Sequence, residues 1–549
     1  MKDSAAVSEK ELVSFLLRPC SYPNRPKLVR LIQTHVSYVF VASPYVYKIK
    51  KPVNFGFLDF STLENRRHFC ECEVILNRRL CPQMYLGVIP ISLTGGGLAF
   101  GPGEEVVEYA VKMRKLQSRY FMLRLLQQNK VTARDLQRIV ITLKRFYETQ
   151  IPAREVEAWG RIEKLKISTD ENFAQTEKYI GLTISRPAFE AIRLYTDVFY
   201  SRNAELFESR INAHRIRDCH GDLHLEHIHI APERLSIYDC IEFNDRFRYI
   251  DTANDVAFLA MDLDHHGRPD LSRQITAQMA DALKDSAMLR VIDFYKCYRA
   301  YVRGKVESLH QSSAEVPEPE QIKSRMQAEN YFRLALNYAV HGSEPIVLIV
   351  MGRVASGKST LARALGCELG CEVLSSDRTR KELAGVPLYV RGGPAARSWL
   401  YSEAMTKRTY KTLLRHARSR IGQGVSVILD ATFSRRHHRD ELRCLLERMG
   451  ATYCFIEAQA PEEIVRRRLR EREVDSREVS DARLENLDML NRSYEVPWEL
   501  QSNNLVTVAS NRAPEETIAE TLKALACIAH KSSEICERCR LSICESVRS

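Results

Sequence analysis

The chain has 549 residues, of which 45% are hydrophobic, 28% charged and 8% aromatic. At roughly 100 to 200 residues per domain this length predicts two to four domains, and the composition excludes collagen-like, wholly disordered and disulfide-scaffold proteins. Lys and Arg (81) exceed Asp and Glu (70), a net charge of +11, which suits anionic substrates without amounting to a nucleic-acid tail.

The first residues, MKDSAAVSEKELVSFLL, carry acidic side chains and lack a long apolar core with a small-residue cleavage site, so no signal peptide is read there. The apolar run Ile346 to Met351 is too short to span a bilayer. A cytoplasmic protein with no membrane partner is expected, and the fifteen scattered cysteines then read as reduced thiols. Val36 to Lys51 alternates as SYVFVAS and YVYKIKK around a Pro-containing turn, a hairpin pattern. Leu63 to Leu80 has helical periodicity, Leu86 to Met113 is strand-like around the turn-rich GGGLAFGPG, and Thr132 to Asn212 reads as amphipathic helices. A β-rich lobe followed by a helical lobe is expected.

His220-Gly221-Asp222-Leu223-His224 is followed by a short strand-like run and Ile237-Tyr238-Asp239. An Asp on a loop and a second Asp at a strand end suit phosphoryl transfer, one orienting a hydroxyl and one holding Mg²⁺. The neighbouring His220, His224, His227 and His229 admit a metal site instead, although no Cys stands at ligand spacing beside them. CHGDLHLEHI with IYDCIEFN resembles the aminoglycoside phosphotransferase family, which is protein-kinase-like. The resemblance extends through YVYK, CECEVILN, EFNDRFRYIDTANDVAFLAMDLD and FYKCYRAYVRGKV, covering Glu11 to Leu309. It implies Asp222 as catalytic base, Asp239 as Mg²⁺ ligand, and Lys48 with Glu73 as the ion pair that positions ATP. Two positions depart from the family: His227 stands where it has Asn, and THVSYVFVAS has no glycine-rich phosphate cover.

In the same half, Arg299, Arg303 and Lys305 lie near helical spacing between Tyr298 and Tyr301, either a phosphate or nucleic-acid contact or a solvated basic face. QSSAEVPEPEQ (Gln311 to Gln321) is a polar, Pro- and Glu-rich boundary, with a connecting helix over Ile322 to Val340. Beyond Pro345, VLIVM, CEVLSS, VSVILDA and TYCFIEA alternate with helical patterns, as βαβ units around a parallel sheet do.

Gly352-Arg-Val-Ala-Ser356-Gly357-Lys358-Ser359 fits G-x-x-x-x-G-K-[ST] after a strand and before a helix over Thr360 to Leu369. Glycines let backbone N–H groups wrap phosphates, Lys358 reaches the β and γ oxygens, and the Ser359 hydroxyl holds Mg²⁺. Asp377 ends CEVLSSD with Arg380 close behind: a general base and an anion-binding Arg, or a helix cap with solvated neighbours. Asp430 ends VSVILD and is placed to hold Mg²⁺ or to cap a helix. Arg466, Arg467, Arg468, Arg470 and Arg472 form either a lid over the transferring phosphate or a solvated face. GRVASGKSTLA, LSSDRTRKELAG, VILDATF and RRLREREVDSREVSDA resemble the P-loop kinases that include zeta-toxin-like and polynucleotide-kinase-like domains, over Glu344 to Ile528. That resemblance implies Asp377 as acceptor-side base, Lys358 as phosphate ligand, and Arg468 and Arg472 as lid arginines.

The expected organisation is an α+β kinase-like domain (1–310), a linker and connecting helix (311–343), an α/β P-loop kinase domain (344–528), and a tail (529–549) expected to be disordered. In that tail, Cys536, Cys539 and Cys544 with His530 are either free thiols or a zinc set. The two-part chain resembles bacterial proteins that join an aminoglycoside-phosphotransferase-like domain to an ATP-binding domain. The expectation is an ATP- and Mg²⁺-dependent kinase acting on a hydroxyl-bearing small molecule. The alternatives are a polynucleotide 5′-hydroxyl kinase, or a P-loop enzyme regulated by a non-catalytic N-terminal domain.

Overall fold

The alternating runs of the N-terminal half pair as an antiparallel sheet. In the computed structural model, which describes residues 7–313, 316–390, 393, 398–474, 479, 480, 483–500 and 504–529, its strands are β1 (Arg30–Gln33), β2 (Ser37–Ala42), β3 (Tyr45–Lys50), β4 (Tyr85–Thr94), β5 (Gly97–Phe100) and β6 (Glu105–Arg114). They lie in the order β1-β2-β3-β6-β4-β5. One face buries Phe40, Tyr47, Ile49 and Ile91 with Phe15 and Tyr22, as period-two alternation demands. The helix Leu63–Asn77 packs on β4 and β6, begun by Thr62, whose hydroxyl accepts from the Asn65 N–H. Four strands of three residues follow: β7 (Ile216–Asp218), β8 (Ile228–Ile230), β9 (Leu235–Ile237) and β10 (Tyr249–Asp251), paired as β7 with β10 and β8 with β9.

The C-terminal half forms the expected parallel sheet. Its strands are β11 (Ile346–Met351), β12 (Glu372–Ser375), β13 (Val427–Asp430), β14 (Thr452–Gln459) and β15 (Leu505–Ala509), in the order β12-β13-β11-β14-β15, every pair parallel. Central β11 is buried along its whole length, which explains an unbroken apolar run instead of an alternating one.

The described chain divides into two compact units, 1–165 with 205–292, and 166–204 with 293–549. The second unit thus takes in 166–204, which lie within the expected kinase-like domain (1–310). The helix Arg186–Arg202 packs on the helices Glu318–His341 and Pro514–Ala529 of the second unit, because its apolar side is covered there. The connecting helix starts at Glu318, inside the stretch expected to be linker, with Pro319 in its first turn, where a missing N–H costs nothing. The twelve described cysteines are free, and no helix among the described residues is long and apolar enough to cross a membrane. Cys536, Cys539, Cys544 and His530 lie outside the described residues.

Candidate functional site

The phosphate loop connects the end of β11 to the helix Lys358–Leu369. Gly357, the residue before that helix, has φ +91°. A Cβ there would meet Arg468 Nη1 at 3.0 Å and Ser510 Oγ at 3.1 Å, so both conformation and space call for glycine. Gly352 opens the loop, and Ser356 is buried with no hydrogen-bond partner for its Oγ among the described residues. Ser510, just past β15, donates its hydroxyl to the Ser356 carbonyl. Arg468 donates to the Ala355 carbonyl (3.3 Å) and the Ser510 carbonyl (2.5 Å).

Asp430 is the last residue of β13 and is buried, not a helix cap. Burial raises its pKa, while the charge of Lys358 and a hydrogen bond from Ser359 act against the rise. Its Oδ1 has no hydrogen-bond partner among the described residues. Asp377 is the second residue of the helix Ser376–Ala384, whose cap position is Ser375, and its Oδ1 accepts from Tyr401 Oη at 3.4 Å. Lys358, Ser359, Asp377 and Asp430 thus gather at the carboxyl ends of β11, β12 and β13, where open parallel sheets bind ligands.

A cavity of about 400 Å³ opens beside the loop, lined by Gly357, Thr360, Arg468, Arg472, Ser510 and Arg512 among others. Only Arg468 and Arg472 of the five clustered arginines line it. Arg466 pairs with Glu462 (2.6 Å) and Arg467 with Glu471 (3.7 Å), and Arg470 is exposed. Arg380 requires a correction: it is buried, donates to the Leu400 carbonyl (2.9 Å) and Thr406 Oγ1 (3.1 Å), and lies over the Tyr401 ring. Its Nη1 is committed to these partners, while its buried Nε has no hydrogen-bond partner among the described residues, and burial keeps the group from the surface where the reading placed it. Of the Arg299, Arg303 and Lys305 group, Arg299 is buried, while Arg303 and Lys305 are half-buried, Arg303 paired with Glu307 and Lys305 donating to Asn172 and Gln175.

In the first unit, Lys48 Nζ lies 3.0 Å from Glu73 Oε1 and 2.7 Å from Asp239 Oδ1. Burial disfavours the Lys48 charge, but Asp239 and Glu73 outweigh it and raise its pKa. Burial likewise works against the Asp239 carboxylate, yet Lys48 and His227 hold its pKa down. Asp239 has φ +63°, a left-handed conformation that Asp tolerates better than most residues. Asp222 lies in a turn whose Gly221 has φ +84°, with the Phe247 carbonyl 2.7 Å from where a Cβ would stand. The Asp255 carboxylate accepts from the N–H groups of His220 and Gly221, and Asp262 from that of Leu225. The turn therefore brings Asp222, His224 and His227 to one place.

Proteins of Mycobacterium bovis and Mycobacterium tuberculosis, both described as uncharacterized, are each 33% identical to the chain over 401 residues, covering 73% of this chain and 78% of theirs. The chain belongs to their family. A family model described as an AAA domain matches residues 347–497, and with the loop and the parallel sheet this makes the C-terminal half a P-loop domain. Among solved structures, a gluconokinase from Sinorhizobium meliloti is 20% identical, covering 34% of this chain and 94% of its own with a TM-score of 0.25. The APS kinase of Mycobacterium tuberculosis with AMPPNP and APS is 19% identical over 33% of this chain and 97% of its own, with a TM-score of 0.24.

Several residues of these sites escaped the sequence reading. Lys50 reaches Glu73 (2.9 Å) and Glu242, and the alternation of Lys-Ile-Lys signals that Lys48 and Lys50 share a strand face. Asp255 and Asp262 stand seven apart on the helix Thr252–His265, a helical-face signal. Ser510 has no comparable local signal.

Proposed function

We propose that the chain is an ATP-dependent phosphotransferase that moves a γ-phosphoryl group to the hydroxyl of a small molecule at the P-loop site. One observation carries this reading: two carboxylates, Asp430 and Asp377, flank Lys358 and Ser359 at the loop. Loop amides from Gly352 to Thr360 and the Lys358 ammonium grip the phosphates, and the cavity beside Thr360 takes the rest of the nucleotide. Asp430, with a buried oxygen that has no hydrogen-bond partner among the described residues, and the Ser359 hydroxyl form a hard oxygen set that fits Mg²⁺. The ion, when bound, neutralises charge on the β and γ oxygens. Asp377 takes the proton of the acceptor hydroxyl as its oxygen bonds to the γ phosphorus. The bond from that phosphorus to the β-bridging oxygen breaks, and ADP leaves with the electron pair. Arg468 and Arg472 stabilise the charge in transfer.

Lys358→Ala is expected to abolish turnover with the circular dichroism and melting temperature unchanged, and Asp377→Asn to lower kcat by about 10²- to 10⁴-fold. Retained turnover in Lys358→Ala overturns the proposal. The alternative of a polynucleotide kinase rested on the Asp377 and Arg380 pair and on the net charge of +11, and with Arg380 buried only the charge still favours it. A second reading has the first unit as an aminoglycoside-phosphotransferase-like kinase, favoured by the Lys48 bridge between Glu73 and Asp239. In it Asp222 is the base and Asp239 the Mg²⁺ ligand, and Asp222→Ala removes a turnover that Lys358→Ala leaves.

A further inference from the structure

We infer that the first unit carries a binding site for a divalent transition-metal ion of the zinc type, formed by Asp222, His224 and His227. Asp222, His224 and His227 each offer a ligand atom, and these atoms lie within 4.8 Å of one another. His224 Nε2 stands 3.5 Å from Asp222 Oδ2, and His227 Nε2 stands 3.5 Å from Asp239 Oδ2. A tetrahedral ion with bonds of about 2.1 Å holds neighbouring ligand atoms about 3.4 Å apart; the Asp222–His224 pair stands at that spacing, and the His227 atom lies within 4.8 Å of both.

The surroundings fix the ligands in the state that metal binding needs. The His227 Nδ1–H donates to the Asp222 carbonyl at 2.9 Å, which leaves the Nε2 lone pair directed away from the backbone. Metal-bound histidines are oriented in this way, with the other ring nitrogen donating to a carbonyl or carboxylate. Asp255 and Asp262 pin the loop N–H groups of His220, Gly221 and Leu225, so the ligands are placed without an ion.

The donor set selects the class of ion. Two imidazoles and one carboxylate suit Zn²⁺, Co²⁺ or Fe²⁺, whereas Mg²⁺ prefers an all-oxygen octahedron. His227 is therefore a ligand that changes the metal rather than a poor replacement for Asn. The inference does not depend on phosphoryl transfer by either unit.

The test is titration of the full chain with Co²⁺ in the absence of nucleotide, followed by visible absorption. One ion per chain, with the intense band of tetrahedral Co²⁺, is expected, displaced by stoichiometric Zn²⁺ and not by a hundredfold excess of Mg²⁺. His227→Asn and His224→Gln should each weaken Co²⁺ at least about tenfold, while Asp430→Asn in the other unit leaves it unchanged. Circular dichroism of the metal-free variants separates lost ligation from lost folding. If His224→Gln unfolds, the closer-shaped His227→Asn decides. The absence of a tetrahedral band in the wild type, its survival in folded His227→Asn, its loss in Asp430→Asn, or its displacement by Mg²⁺ overturns the inference.

Discussion

His438 is half-buried beneath the ring of Tyr410, with centroids 4.7 Å apart at 80°, and its Nδ1 has no hydrogen-bond partner among the described residues. Burial, with His437 adding its charge, holds its pKa down to about 4. The unfolded chain takes a proton near pH 6.5 that the folded chain refuses until about pH 4, so stability falls as pH drops through that window. Allowing for partial solvent screening, the loss is about 1 kcal/mol between pH 6.5 and pH 5. His438→Phe should flatten that part of the stability curve relative to the wild type in urea melts, and parallel curves would refute it. At this scale the sequence shows chemistry best where one segment supplies it. The phosphate loop and Asp430 are legible because a strand, a turn and a helix follow one another. Ser510 and Arg468 are not, because their place on the loop depends on β15 and the Glu462–Val474 helix, about 110 to 150 residues further on. Arg380 misleads for the same reason, since Leu400 and Thr406, which occupy it, are remote in sequence.

The helix Ala204–Asn212 is anchored by one side chain. Arg210 forks between Asp251 (2.7 Å from Nη2) and Asp285 (3.0 Å from Nη1), and all three are almost wholly buried. Arg210→Met keeps volume but strands two buried carboxylates, so it should cost about 3–5 kcal/mol. Replacing all three residues with apolar ones should restore most of that loss. Equilibrium denaturation of the single and triple variants checks both statements, and a neutral Arg210→Met refutes the first. Elements long enough to repeat their period were legible: the β2–β3 hairpin, the Leu63–Asn77 helix, and β11 to β14 all fall where alternation or an apolar run put them. The strands β7 to β10 have three residues each, fewer than two full alternations. β15 escaped because LVTVA stands alone beyond a polar stretch, with no turn chemistry to mark it.

At the scale of the whole molecule, the order of the chain and the order of the cores differ. The helix Arg186–Arg202 buries Phe189, Ile192, Tyr195, Phe199 and Tyr200. The Phe199 ring stacks on Phe294 at 4.3 Å between centroids. It belongs with the P-loop unit, where it packs on the Pro514–Ala529 helix, and polar ties run alongside. Ser185 donates to Glu368 (2.7 Å), Arg202 to the Cys527 carbonyl (3.1 Å), and Lys523 pairs with Glu190 (2.6 Å). No linear motif announces this, because the phosphate loop is complete without those helices and only burial shows that its domain is not. A fragment of residues 344–528, cut where the motifs suggest, loses both the Arg186–Arg202 and Glu318–His341 helices. Each large apolar side chain so uncovered forfeits about 1.5–3 kcal/mol, and a few of them exceed the 5–15 kcal/mol that holds a typical domain. The fragment should therefore bind an apolar-surface dye and melt without a cooperative transition, while the full chain melts cooperatively and gains stability with a nucleotide that binds only the folded state. A cooperative melt of the fragment at the midpoint of the full chain would show that the P-loop unit does not need the helices contributed by residues 166–204.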